Sequence, residues 1–285
     1  MIMASKLHLK FATVVFLMPV MCLQAADRIE KVFPVARNSS LILTNYTGTI
    51  SVKGWQNPEV KVICTKYSQN VEIDTESTPS KVRIATHVLD KLASAERARV
   101  DYQVFVPEEA RVEIVNNMGS VDVDSVKGAV KVDVIEAAVK ISGAHSGVQV
   151  NSLGSKVAIS ESSGPIQTTT VSGDIVFSKL DSNSVTANST LGNISYEGDF
   201  VQLGNYRFST NEGIILVQCP DEASVEWNAR TVKGKIRSNL PIRSKNHAPS
   251  STGIAGKQSL FGTLNQGDAN VNLSTFSGEI NINRR

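Results

Sequence analysis

Apolar and polar residues alternate along the middle of the chain with a period of nine. From Val121 a β-branched residue recurs at Val130, Val139, Val148, Val157, Ile166 and Ile175, then after one extra residue at Val185 and Ile194. Two positions after each comes a second inward candidate: Val123, Val132, Ile141, Val150, Ile159, Thr168, Phe177, Ala187 and Tyr196. Five positions after the leading residue a third column is often apolar: Val126, Ile135, Ala144, Leu153, Val171 and Leu180, broken by Ser162. Two positions before each leading residue the side chain is small: Gly119, Gly128, Ala137, Ser146, Ser155, Gly164, Gly173, Asn183 and Gly192. Gly and Asn accept a positive φ at a tight corner at little cost. The predicted unit is a corner, a short strand with two inward side chains, a second bend and one more inward residue.

A strand this short cannot hide its apolar side alone. Stacked copies make continuous columns of Val and Ile, each fully buried member contributing roughly 1.5–3 kcal/mol. The pattern therefore predicts an all-β chain folded as a β-solenoid of β-helix or β-roll type, built from nine-residue strand-turn units. Two or three units would make a coil of about 18–27 residues, two being preferred, with coils about 4.8 Å apart. An antiparallel sandwich of hairpins also fits strands at this spacing. The fixed register argues against it, because hairpin loops vary in length.

The unit recurs outside the strict block, at Gly48-Thr49-Ile50-Ser51-Val52, Gly213 with Ile215 and Val217, Gly234-Lys235-Ile236, and Gly278-Glu279-Ile280-Asn281-Ile282. Further strands are read at 60–65, 82–86 and 102–106, the last ended by Pro107. Four parts follow: a signal peptide at 1–26, N-terminal strands and cap at 27–110, the regular repeat at 111–245, and a C-terminal loop with capping strands at 246–285. Residues 87–99 are helix-prone and charged, which predicts a short surface helix or ordered loop. Residues 245–258 are rich in Gly, Ser, Ala and Pro and read as a loop leading into an end cap.

The signal peptide is read from Lys6 and Lys10, the apolar run Phe11 to Leu23, and Ala25-Ala26 before Asp27. An uncleaved anchor is one alternative. A lipoprotein at Cys22 is another, opposed by Met21 where a small residue is wanted. No other stretch is apolar enough to span a bilayer. Cleavage leaves 27 basic against 27 acidic residues. That balance gives no reason to expect nucleic acid or an anionic membrane as partner. Two cysteines remain, Cys64 and Cys219. In an oxidising compartment they could bridge; two separate buried thiols is the preferred reading.

Three stretches carry a family resemblance: Leu41-Ile42-Leu43-Thr44-Asn45 leading into Gly48-Thr49-Ile50-Ser51-Val52-Lys53-Gly54-Trp55; Asp101-Tyr102-Gln103-Val104-Phe105-Val106-Pro107 followed by Val112-Glu113-Ile114; and Ser172-Gly173-Asp174-Ile175, echoed at Ser277-Gly278-Glu279-Ile280. In these, over nearly the whole mature length, the chain resembles the bacterial "putative adhesin" family of β-strand-repeat envelope proteins, a domain of unknown function. Ala137, Ser146 and Ser155 depart from the usual Gly. The resemblance implies a β-solenoid and an envelope or surface location, without naming a ligand.

Candidate chemistry is sparse. After cleavage the histidines are His87, His145 and His247. His145 sits beside Ser142, Gly143 and Ser146, but the repeat places no orienting carboxylate there. Asp122, Asp124 and Asp133 lie on or beside outward positions, where paired carboxylates would suit a glycosidase. Lys131 and Lys140 share that outward column, so solvated ion pairs are the simpler account. The calcium-binding nonapeptide signature is missing. Gln149, Gln167, Thr168 to Thr170, Thr186 and Ser195 would give a polar outer face, suited to a glycan or protein or simply to exposed strands. Trp55 and Trp227 are read as core or cap packing.

The sequence thus predicts an exported, non-enzymatic, adhesin-like interaction module of the periplasm, cell surface or extracellular space. No catalytic, metal or cofactor residues are assigned, and the partner expected is an envelope or surface protein or a glycan. A carbohydrate-active β-helix enzyme and a structural envelope-stress accessory protein are the alternatives.

Overall fold

The computed structural model describes residues 26–90, 92–244 and 254–285. Residues 1–25 of the expected signal peptide, Lys91, His247 and most of the 245–258 loop lie outside the described residues. The fold is all-β. Five strands come first: β1 (Asp27–Pro34), β2 (Ser40–Trp55), β3 (Glu59–Lys66), β4 (Val71–Thr78) and β5 (Lys81–Val88). Among the described residues of the helix-prone 87–99 segment, His87 and Val88 end β5 and Ala95–Ala98 form a single 3-10 turn. Then come β6 (Val100–Pro107), β7 (Arg111–Asp124) and β8 (Val130–Ser142). Short strands follow: β9 (Val148–Ser152), β10 (Val157–Ser160), β11 (Ile166–Thr170), β12 (Ile175–Ser178), β13 (Ser184–Ser189), β14 (Ile194–Glu197), β15 (Asn205–Thr210) and β16 (Ile215–Cys219). The rest are β17 (Val225–Thr231), β18 (Ile236–Ser238), β19 (Arg243–Ser244), β20 (Ile254–Lys257), β21 (Ser259–Leu264), β22 (Ala269–Thr275) and β23 (Ile280–Arg284).

From β9 to β16 successive strands do not pair with each other. Each pairs in parallel with the next strand but one, so the nine-residue series divides into two ladders. In ladder one Val130 faces Val148, then Ile166, then Val185 and Tyr206. In ladder two Val121 faces Val139, then Val157, Ile175, Ile194 and Ile215. The long strands β2, β7 and β8 give their first halves to ladder one and their second halves to ladder two. Both predicted inward columns, including Thr168, are buried throughout, and their apolar members belong to one cluster fed by both ladders.

The two corners differ in one torsion, and this splits the third column. Leaving ladder two, the residue four after the leading Val or Ile is left-handed: Ser125 (φ 57), Gly143 (φ 70), Glu161 (φ 50) and Lys179 (φ 51). That twist turns the next side chain inward, burying Val126, Ala144, Ser162 and Leu180. Leaving ladder one, the residue four after turns inward instead: Val134, and then the hydroxyl residues Ser152, Thr170, Ser189 and Thr210. The following side chain then faces solvent, so Ile135, Leu153 and Val171 are exposed, against the expectation from spacing.

The inward hydroxyl closes its own corner. Thr210 Oγ1 accepts the Gly213 N–H at 3.2 Å and donates to the Gly192 carbonyl of the neighbouring level at 3.0 Å. Ser189, Thr231 and Thr275 accept from Gly192, Gly234 and Gly278 in the same way. These glycines are there for space. Gly173, Gly192, Gly213, Gly234 and Gly278 do not have the positive φ expected of them. A Cβ on Gly192 would instead come within 2.0 Å of the Gly173 carbonyl oxygen. Of the small-residue column, Gly119 (φ 114) and Gly164 (φ 74) do take the left-handed form.

The far end departs from chain order. β22 lies between β15 and β17, parallel to both, and β23 lies between β16 and β18. Beyond them β21 and β20 pair antiparallel with β17 and β18. At the opposite end β4 pairs antiparallel with β5, and β1 with β3. Trp227 is fully buried in an aromatic cluster in which Phe200, from the loop after β14, packs against Tyr196, Tyr206 and Trp227. Trp55 stacks on Phe105 at 5.3 Å and donates to the Glu59 carbonyl.

Candidate interaction surface

The exposed residues of corner one form a row. Ile135, Leu153, Val171 and Leu191 are 43, 51, 43 and 51 % exposed. Backbone bonds tie each to the next level: Gly154 N–H to Ile135 O, Ser172 N–H to Leu153 O, and Leu191 N–H to Val171 O. Asn211 interrupts the row, and Phe276 and Val232 resume it, linked through Phe276 N–H to Asn211 O and Lys233 N–H to Phe276 O. The Lys233 ammonium lies 4.9 Å from the Phe276 ring centre. Ile135, Leu153 and Val171 stand in register on levels about 4.8 Å apart, and Leu191 extends their row beside Thr190, which holds the register position on the next level; this is a local aliphatic ridge rather than scattered apolar side chains.

Beside the ridge lies the outer face of ladder one. One column runs in register through Glu113, Lys131, Gln149, Gln167, Thr186, Arg207 and Asn272. The next runs through Asp133, Asn151, Thr169, Asn188, Ser209 and Ser274. Gln149, Gln167, Thr169 and Thr186 thus share the polar face expected of them. Thr168 and Thr170 are buried, and Ser195 belongs to ladder two. From Gln149 to Ser274 Arg207 is the one charge in these two columns.

The charged candidates pair locally. Lys131 bridges Glu113 at 3.1 Å and Asp133 at 3.2 Å, and its bonds to Glu113 first and Asp133 second hold its ammonium above the ordinary range. Asn151 also donates to Asp133. Asp122 faces Lys140 in ladder two, whereas Asp133 is in ladder one, so they do not converge as a carboxylate pair. Asp124 accepts from Ser142 at 2.8 Å. His145 Nδ1 lies 3.1 Å from Ser163 Oγ rather than from Ser142 or Ser146, and Ser146 donates to Lys127 O. His87 meets Asp74 at 2.9 Å, both well exposed. Partial burial raises the Asp101 carboxyl, but bonds from Arg99, the Thr49 N–H and Tyr67 outweigh this and hold it below its ordinary value.

Cys64 and Cys219 are free and buried at separate levels of ladder two, and burial pushes the Cys219 thiol up to about 12. Among the described residues no group of three or more His, Cys, Asp or Glu is placed to hold a metal ion, and no helix is long and apolar enough to cross a membrane.

Sequence reasoning missed the ridge because it treated both corners as one. The signal is partial: a Ser or Thr three residues before Gly accompanies the exposed side chain in Thr170-Val171-Ser172-Gly173 and Thr275-Phe276-Ser277-Gly278, but Ser125-Val126-Lys127-Gly128 has the same spacing with Val126 buried.

No protein-family model matches the chain, and no curated protein does. Three solved bacterial structures are similar to it. A "putative cell adhesion protein" from Clostridium sporogenes aligns over 92 % of this chain and 100 % of its own, with 14 % identity and a TM-score of 0.29. A "putative adhesin" from Bacteroides fragilis aligns over 92 % and 99 %, with 10 % identity and a TM-score of 0.40. Another from Parabacteroides merdae aligns over 68 % and 89 %, with 10 % identity and a TM-score of 0.32.

Proposed function

We propose that the chain is an exported, non-enzymatic, adhesin-like interaction module of the cell envelope or surface. In this reading the two ladders are the walls of a β-solenoid with two nine-residue units per coil, released by removal of residues 1–26. The ridge of Ile135, Leu153, Val171 and Leu191 carries the reading. A monomer with no partner gains nothing from a row of exposed aliphatic side chains at one corner when the other corner buries its own.

The occupant that fits is another envelope protein presenting an apolar stripe. Aliphatic side chains bury well against apolar protein surface, whereas sugar rings favour flat aromatic platforms. With Arg207 as its one charge between Gln149 and Ser274, the face beside the ridge offers little to an anionic polymer or lipid. The dispersal of Asp122, Asp133 and His145 supports the non-enzymatic part.

The test uses the full exported chain with a photocrosslinking residue at position 153 or 171, and at 140 on ladder two as control. The reading expects one species captured from both ridge positions and not from 140. The purified species should then bind the wild type and lose at least tenfold in affinity with Leu191→Asp. Equal capture from position 140, or binding indifferent to Leu191→Asp in a folded chain, would overturn it.

A further inference from the structure

The strand pair β22–β23 occupies a slot that its own neighbours do not need it to fill in sequence. Thr210-Asn211-Glu212-Gly213-Ile214-Ile215 and Thr231-Val232-Lys233-Gly234-Lys235-Ile236 repeat the same corner and would stack directly if chain order were followed. The chain instead holds these levels apart and inserts 269–284 between them. Tyr206, Val271 and Trp227 form one inward row, and Ile215, Ile280 and Ile236 another. Ala269, Val271, Leu273, Ile280 and Ile282 are all buried there.

Without β22–β23 both walls of the slot would be unpaired parallel edges. On one side Asn270 N–H bonds Gly204 O and Ile215 N–H bonds Glu279 O; on the other Ala269 N–H bonds Ser224 O and Ile280 N–H bonds Lys235 O. The insert enters through a single turn at 265–268, where Asn265 (φ 53) and Gly267 (φ 78) are left-handed. Asn265 Nδ2 clamps the start of that turn to Asp221 O and Ala223 O. The described strands before the turn stay with the parent molecule, and β22–β23 after it makes its contacts with residues 204–239 and, through Arg285, with Asp199.

We infer that β22–β23 is exchangeable between two copies of this chain, giving a reciprocal strand-swapped dimer. The donated pair makes in the partner copy the same ladder bonds and buried contacts it makes at home, so the exchange changes only the turn at 265–268 and the entropy of association. Because β22–β23 follows both slot walls in the chain, copies folding close together compete with the molecule's own β22–β23 for the slot. This proposal is independent of the ridge.

Ser209 on β15 and Ser274 on β22 provide the reporter, since their outward hydroxyls lie 3.0 Å apart across the slot wall. The double variant Ser209→Cys/Ser274→Cys should lock as an oxidised monomer when folded dilute, because adjacent strands bring the two Cα atoms to about 5 Å, within disulfide reach. Full-length chains carrying either single substitution, with different affinity tags, are then unfolded, mixed at high micromolar concentration, refolded and oxidised. The expected result is a disulfide-linked heterodimer, several-fold more abundant than from a control mixture of Ser209→Cys with Ser160→Cys, and scarce when each chain is folded before mixing. A double variant that locks while the mixed single variants stay at the control level would overturn the exchange. A double variant that fails to lock would overturn the insertion on which it depends.

Discussion

Gly278 lies against the carbonyl oxygen of Gly213 so closely that a Cβ on Gly278 would come to 1.8 Å from it. The corner column is packed backbone on backbone at these levels, with no side chain free to give way. Gly278→Ala is expected to lower stability by about 2–3 kcal/mol through forced separation of the two levels. Gly154→Ala is the control. The nearest atom to its added Cβ is Ser172 Oγ at 3.6 Å, an ordinary contact. That substitution should be neutral or add about 0.5 kcal/mol by restricting the unfolded chain. Urea unfolding midpoints distinguish the two.

Leu180 and Leu153 stand in the same sequence column, yet Leu180 is 6 % exposed and Leu153 is half-exposed. Leu180→Ala should therefore cost about 2–4 kcal/mol through lost burial and a residual cavity. Leu153→Ala should stay within about 0.5 kcal/mol of the wild type. Equal losses in thermal or chemical denaturation would mean that the two corners are not different.

Thr168 occupies an inward position between Val150 and Ala187, and its hydroxyl has no partner among the described residues. Thr168→Val keeps the shape and removes a buried polar group. A gain of about 1–2 kcal/mol in unfolding free energy is expected. A loss would indicate a bond to that hydroxyl.

Cys219 gives a pH dependence whose sign is fixed by burial. Its thiol is raised to about 12 from an ordinary 9.0 by desolvation first, with Asp221 and Asp199 adding to it. Above pH 9 the unfolded chain loses this proton while the folded chain keeps it, so the folded state is the one binding more protons. Stability present below pH 9 is therefore lost as pH rises toward 12, with a limiting slope of about 1.4 kcal/mol per pH unit for this one group. Burial raises Tyr102, Tyr196 and Tyr206 in the same direction. Denaturation midpoints between pH 8 and 11 should fall, and Cys219→Ala should make that fall shallower.

Much of this was legible in the sequence. The columns led by Val121 and Val123 name the core residue by residue, because period-two alternation within a strand and period nine between strands leave one consistent inward face. Two things were not legible. A nine-residue period cannot tell corner one from corner two, so Ile135 and Leu153 were read with Val126 and Leu180; the distinction lies in the left-handed torsion at Ser125, Glu161 and Lys179, none of them a glycine. The insertion of β22–β23 was invisible because Thr231 to Ile236 continues the corner pattern of Thr210 to Ile215 in chain order. Only long-range pairing shows that 275–280 stands between them. The polar face was half legible: alternation places Gln167 and Thr169 outward and Thr168 and Thr170 inward, and a run of like residues hides it.

The place of each strand in the stack makes β1 and β23 unequal. Losing β1 would bare an edge strand and leave every deeper floor of the building intact. Losing β22–β23 would pull out an inner floor from beneath β17, β18, β20 and β21, so a protease nick that released β23 would do more harm than one that released β1.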